Sequence, residues 1–217
     1  RVTQFAEAHN AIAGQTRERS QALLESMERT MELEGRRFEA GLSDLGSSLL
    51  AQGVKAAEMM RLGISRSAVI AIPGGWDCHG DVTVNEGQFE DFFGALDQLM
   101  DHLNNTPGLH TRWLADEVVI VCMSEFGRTP LVNGGGGKDH WPYNSAMVIG
   151  AGVDGGRNIG ATDDALVGLP IDFTTGVQSD TGQMLASENL GVALLKLGGL
   201  DPERILPGIE PLEALIK

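Results

Sequence analysis

The chain is poor in cysteine, in basic residues and in long apolar stretches, and each deficit excludes a class of protein. Two cysteines among 217 residues give neither a disulfide framework nor zinc-finger spacing. The formal net charge of −14 argues against nucleic acid and anionic membrane surfaces as partners. No apolar stretch approaches the roughly 20 residues that a membrane-spanning helix requires, so we expect no membrane span.

Length and composition instead indicate a globular protein. Hydrophobic residues make up 42% of the chain and charged residues 21%, and 217 residues suffice for one domain with a sizeable core. We therefore expect a single domain over 1–217, with a helical segment over 1–64 and an α/β core over 65–217. Because residue 1 is Arg rather than Met, we expect the chain to be a truncated portion of a longer protein.

Apolar runs alternate with amphipathic segments through the second part of the chain. The runs predict strands over 68–72, 117–123 and 145–150, and the amphipathic segments predict helices over 85–103 and 181–197. Alternation of this kind is typical of a mostly parallel sheet with helices on its faces. In the first helix, seven apolar residues at three- and four-residue steps predict a face packed on the sheet: Phe89, Phe92, Phe93, Leu96, Leu99, Met100 and Leu103.

A polar cluster flanks each predicted strand. Residues 75–80 follow the first strand, residues 124–129 follow the second, and residues 138–142 precede the third. Ligands of open α/β sheets bind at the carboxyl ends of the strands, so Asp, Glu and His gathered there indicate a metal or a polar substrate. Because the last cluster precedes its strand, either that strand runs antiparallel or the glycine loop at 134–137 returns across the sheet edge.

The candidate metal ligands are Asp77, His79 and His140. Carboxylate oxygen and imidazole nitrogen suit zinc, manganese or iron, and three protein ligands leave a position open for water or substrate. Asp139 is either a further ligand or the acceptor that orients a histidine. Cys78 is either a turn residue or an extra soft ligand. The alternative is structural, with Asp77 capping backbone amides and His140 held by a loop hydrogen bond.

The candidate catalytic residues are Glu125 and Arg128, which follow the second predicted strand. Glu125 would serve as a ligand or a base, and Arg128 as a clamp, because a guanidinium grips phosphate or sulfate through two hydrogen bonds. Lys138 could assist. The alternative is that Glu125 and Arg128 pair with each other and only brace the loop.

Taken together, the three clusters resemble the DUF1501 family, from about residue 40 to about residue 200. The motifs that carry the resemblance are Gly-Gly-Trp-Asp-Cys-His-Gly, Met-Ser-Glu-Phe-Gly-Arg-Thr-Pro and Gly-Lys-Asp-His-Trp-Pro. The resemblance implies a branch of the alkaline phosphatase and sulfatase superfamily, and with it a three-layer α/β/α sandwich that has a mostly parallel sheet. It also implies one divalent metal ion on Asp77, His79 and His140, because Phe126 stands where a second metal would need a ligand.

The function implied by this resemblance is a metal-dependent, phosphatase- or sulfatase-like hydrolase of small anionic esters, located in the periplasm or outside the cell. Before Asp77 the only aspartate is Asp44, and no nucleophile follows it at a strand end, so we expect a C-terminal portion with an incomplete active site. Missing strands would expose a sheet edge and favour a homo-oligomer. The alternative is a non-catalytic domain that retains the fold and binds a ligand or partner.

Overall fold

The computed structural model of the chain describes residues 21–28, 30–32, 35 and 46–217. Cα proximity divides the chain into two compact units, Arg1–Ala71 and Ile72–Lys217. The expectation of a single domain stays a prediction. The expectations for most of the N-terminal helical segment, Asp44 included, lie outside the described residues.

In the first unit, helix α1 spans Leu49–Arg61. The Ser48 hydroxyl accepts a hydrogen bond from the Ala51 N–H at 3.2 Å, which satisfies one of the free donors at the helix start. Gly53 and Ala57, four residues apart, form its buried face. The helix gives way to Gly63, whose φ of 68° lies in the left-handed region that glycine adopts readily.

The second unit holds two α-helices and four strands. In chain order these are α2 (Val84–Asn105), β1 (Val119–Cys122), β2 (Gly127–Arg128), β3 (His140–Trp141), β4 (Met147–Gly150) and α3 (Ser187–Leu197). Short 3-10 helices span Leu114–Asp116, Pro202–Arg204 and Glu213–Leu215. None of the helices in the described part of the chain is long and apolar enough to cross a membrane.

The strands form two small antiparallel sheets, which overturns the predicted fold class. β1 pairs with β4, with Val121 opposite Val148, and β2 pairs with β3, with Arg128 opposite His140. Across residues 46–217 these are the only sheets, so the three-layer α/β/α sandwich with a mostly parallel, alkaline-phosphatase-like sheet is wrong.

The reason lies in the connections between the apolar runs. Parallel strands need a long crossover, usually a helix, and no helix lies between β1 and β4. The chain instead returns through the short β2–β3 pair, and β4 comes back antiparallel to β1. Residues 68–72 form no strand, and Val69 is fully exposed. Of the two alternatives for the third predicted strand, the antiparallel one is correct.

The core lies around α3 rather than beneath α2. Its buried residues come from α3, from the C-terminal segment and from the stretch 151–180: Val153, Ile171, Phe173, Ala193, Leu212 and Leu215. The predicted packing of the α2 stripe on a sheet is wrong, because only Leu103 at its C-terminal end is buried. Phe89 and Phe93 remain 50% and 51% exposed, since no sheet in the described residues covers this face.

Candidate metal centre

The loop that carries Asp77 and His79 is held at both ends. The Trp76 indole N–H donates to the Pro73 carbonyl at 3.2 Å, and its ring meets the Phe89 ring edge-on, with centroids 5.1 Å apart. After the loop, Asp81 accepts hydrogen bonds from the Thr83 hydroxyl and N–H at 2.7 and 2.8 Å, which lower its pKa. The two candidate ligands therefore lie on a short segment fixed against the start of α2.

The glycine loop packs directly on the backbone of that segment. The Lys138 N–H donates to the Cys78 carbonyl at 3.0 Å. A Cβ atom on the buried Gly137 would lie 2.1 Å from the same oxygen and 2.2 Å from the His79 carbonyl carbon. Only a glycine permits this approach, which brings the segment leading to His140 alongside His79. Cys78 itself is buried and does not belong to the ligand cluster.

The β2–β3 pair and one aromatic contact orient His140. The Thr129 N–H donates to the Asp139 carbonyl at 2.9 Å, which extends the pairing beyond Arg128 and His140. The Phe126 ring stacks on the His140 imidazole, with centroids 3.9 Å apart and planes 28° apart. Phe126 cannot bind a metal, but it fixes the plane of a ring that can.

The structure brings the three predicted ligands together. His79 Nε2 lies 3.0 Å from His140 Nε2 and 3.3 Å from Asp77 Oδ1, and one ligand atom from each residue falls within 4.8 Å of the others. Ligand atoms of a tetrahedral zinc site are roughly 3.3 Å apart, given bonds of about 2.0–2.2 Å. The two distances from His79 are thus close to those of a coordination shell. Asp77 and His79 are 70% and 43% exposed, so the outer side of this shell faces water.

Asp139 lies behind His79, on the opposite side of the ring from this cluster. Its Oδ1 atom is 3.0 Å from His79 Nδ1 and accepts a second hydrogen bond from Asn133 Nδ2 at 3.1 Å. The bond from His79, followed by that from Asn133, lowers the pKa of Asp139. Of the two roles open from the sequence, the contacts match the orienting acceptor. Asn133 was not predicted, and an Asn before four glycines signals only a turn.

The two predicted catalytic residues lie apart from each other. Arg128 is 21% exposed, and its Nη2 atom donates to Asp77 Oδ1 at 3.0 Å and to the Trp76 carbonyl at 3.3 Å. Its Nη1 atom donates to the Lys138 carbonyl at 3.2 Å. Among the described residues Glu125 is exposed and makes no hydrogen bond or ion pair, so the two side chains do not pair.

Lys138 points elsewhere, because its Nζ atom donates to the Pro130 carbonyl at 3.2 Å. Arg128 is therefore the cation that contacts the candidate ligands, and its contacts are those of a brace on Asp77. Glu125 offers a free carboxylate on the segment just before Phe126.

One protein family model matches this chain. A family model described as a protein of unknown function (DUF1501) covers residues 3–210. The chain belongs to the DUF1501 family. Comparison with curated proteins and with solved structures found no match. The DUF1501 match includes all three polar clusters, which confirms the family resemblance noted in the sequence. The tie between DUF1501 and the alkaline phosphatase and sulfatase superfamily stays a prediction.

Proposed function

We propose that this DUF1501 chain binds one divalent transition metal ion through Asp77, His79 and His140, as part of a phosphatase- or sulfatase-like hydrolase of anionic esters. The observation that carries the proposal is the convergence of one carboxylate oxygen and two imidazole nitrogens at distances of 3.0 and 3.3 Å. Two nitrogens and one oxygen are donors suited to zinc, manganese or iron.

Electrostatics supports a cation at this position. Three electron-rich atoms so close together repel one another unless a proton or a cation lies between them. Arg128 offsets the charge of Asp77 from one side only, and Asp139 adds a carboxylate behind His79. Phe126, which stacks on His140, has no side-chain atom that can bind a metal, and this supports a single ion.

The open coordination positions support hydrolysis. A divalent ion held by three protein ligands would supply a Lewis acid and a bound water of lowered pKa. In this chain Asp77, braced by Arg128, would fix one ligand position, and the free carboxylate of Glu125 would be available as a base. The class of ester, and a location in the periplasm or outside the cell, rest on the resemblance of DUF1501 to the superfamily.

A non-catalytic domain that binds a ligand or partner through the metal is the second candidate. The exposure of Asp77 and His79 favours it, because enzymes commonly exclude water from the reacting groups. The two candidates share the metal site and differ in the chemistry that follows from it.

Titration with Zn²⁺ and Mn²⁺, followed by assays on p-nitrophenyl phosphate and p-nitrophenyl sulfate, tests both. We expect binding by the native chain, loss of binding in a His79→Ala, His140→Ala double variant, and unchanged binding in His110→Ala, which removes an exposed imidazole elsewhere. Metal-dependent ester cleavage would support the hydrolase. Binding without cleavage would match both the second candidate and the expected incomplete active site, and equal binding by all three proteins would contradict both candidates.

A further inference from the structure

The contacts behind the metal cluster converge on the side chain of Asn133. Its Nδ2 atom donates to Asp139 Oδ1 at 3.1 Å and to the His79 carbonyl at 3.0 Å. Its Oδ1 atom accepts from the N–H groups of Gly135 and Gly137 at 2.9 and 3.1 Å. A single amide therefore links the glycine loop, the carboxylate behind His79 and the backbone of His79.

The donors and acceptors around Asn133 and Asp139 indicate where the hydrogen between Asp139 and His79 lies. Its Nδ2 atom faces two acceptors and its Oδ1 atom faces two donors, so the amide has one consistent orientation. An ionised Asp139 only accepts, so the hydrogen between it and His79 resides on His79 Nδ1. A neutral His79 then carries its lone pair on Nε2, the atom that faces Asp77 and His140.

We propose that Asn133 and Asp139 are positioning residues that hold His79 in the Nδ1–H tautomer and so present its Nε2 lone pair to the metal. Histidine in water favours the opposite tautomer, in which a hydrogen on Nε2 blocks coordination through that atom. The consequence for metal affinity rests on the proposed function. The tautomer itself does not, because the contacts of Asp139 and Asn133 that favour it are present without an ion.

Substitutions at Asn133 and Asp139 can test the effect on the His79 tautomer separately from the effect on the structure of the glycine loop. Asn133→Asp keeps an oxygen to accept from Gly135 and Gly137 but replaces the donor that faces Asp139 and the His79 carbonyl. Asp139→Ala removes the acceptor of His79, and Asp139→Asn restores an oxygen at the same place. The matched control is Asn189→Asp, because the Asn189 amide also bridges two backbone groups: it accepts from the Ala186 N–H and donates to the Glu210 carbonyl, at the start of α3.

The first readout is the ¹⁵N spectrum of the His79 ring in the metal-free protein, assigned with His79→Ala and recorded at about pH 8.5, where an ordinary imidazole is neutral. We expect the Nδ1–H form in the native chain, Asp139→Asn and Asn189→Asp. We expect a shift towards the Nε2–H form in Asn133→Asp and Asp139→Ala. A native His79 in the Nε2–H form, or a tautomer that no variant changes, would overturn the inference.

The second readout is the Kd for Co²⁺, for which loss of such a supporting contact costs about 10- to 100-fold. We expect this loss in Asn133→Asp and Asp139→Ala, with the control unchanged. Unaltered Kd values in both variants would overturn the inference and leave the metal site standing. If the variants change the His79 tautomer as expected but the chain binds no Co²⁺, the positioning role is upheld and the metal site is overturned. If Asn133→Asp fails to fold, the two Asp139 variants decide.

Discussion

Replacement of Gly137 by alanine should disrupt the metal centre without replacing a candidate ligand. The added Cβ would lie 2.1 Å from the Cys78 carbonyl oxygen, whereas an ordinary contact begins at 3.4 Å. The two backbone segments must therefore separate by about 1.3 Å, the difference of those two distances. Such a shift would stretch the hydrogen bonds from Lys138 to Cys78 and from Asn133 to His79, each 3.0 Å long.

The expected cost combines overpacking, typically about 1–3 kcal/mol, with two weakened hydrogen bonds of about 1 kcal/mol each. We expect the free energy of unfolding in urea to fall by about 2–4 kcal/mol. We expect Co²⁺ affinity to fall by about 10- to 100-fold as His79 moves relative to His140. The matched control is Gly134→Ala, because a Cβ there meets nothing within 4 Å. Equal stability and equal metal affinity in the two variants would refute the reasoning.

Three further changes probe the supports of the site and of the fold. Phe126→Ala should weaken metal binding in a calorimetric titration, because it removes the ring stacked on His140, and Phe126→Tyr should retain binding. Arg128→Met should lower the free energy of unfolding by about 2 kcal/mol, since three hydrogen bonds are lost, one of them to Asp77; an unchanged urea midpoint would contradict this. Burial raises the pKa of Glu117, but its carboxylate accepts hydrogen bonds from three backbone N–H groups and a hydroxyl. These bonds outweigh the burial and lower the pKa from 4.5 to about 2. Because this pKa is lower in the folded state, its stabilisation is complete above about pH 4.5 and is lost as the pH falls towards 2. Glu117→Gln should flatten this dependence in urea unfolding at several pH values, and parallel curves for the two proteins would argue against it.

The sequence identified a set of candidate ligands that converge in the structure, but its fold class was wrong. Asp77, His79 and His140 could be selected as candidates because residue type restricts metal ligands strongly, and because each lies beside an apolar run. The composition of an apolar run does not determine whether its strand pairs in parallel or antiparallel. A parallel or an antiparallel partner demands the same apolar residues, and the absence of a helix between β1 and β4 decided the pairing.

Other features depend on contacts between distant parts of the chain. The periodicity of α2 predicted a buried face correctly for Leu103 but not for Phe89 and Phe93, because burial also requires a partner. Asn133 contacts His79, which lies 54 residues away in the sequence, and no local sequence pattern predicts that contact. In the sequence, Phe126 stands where a metal ligand was expected. In the structure, its ring stacks on His140 and orients the imidazole.

Metal content of the purified chain tests the central claim most directly. Elemental analysis should find about one equivalent of zinc, manganese or iron in the native protein and in His110→Ala, and none in the His79→Ala, His140→Ala double variant. No bound metal in the native protein, even after incubation with these ions, would contradict the assignment of Asp77, His79 and His140 as a metal centre.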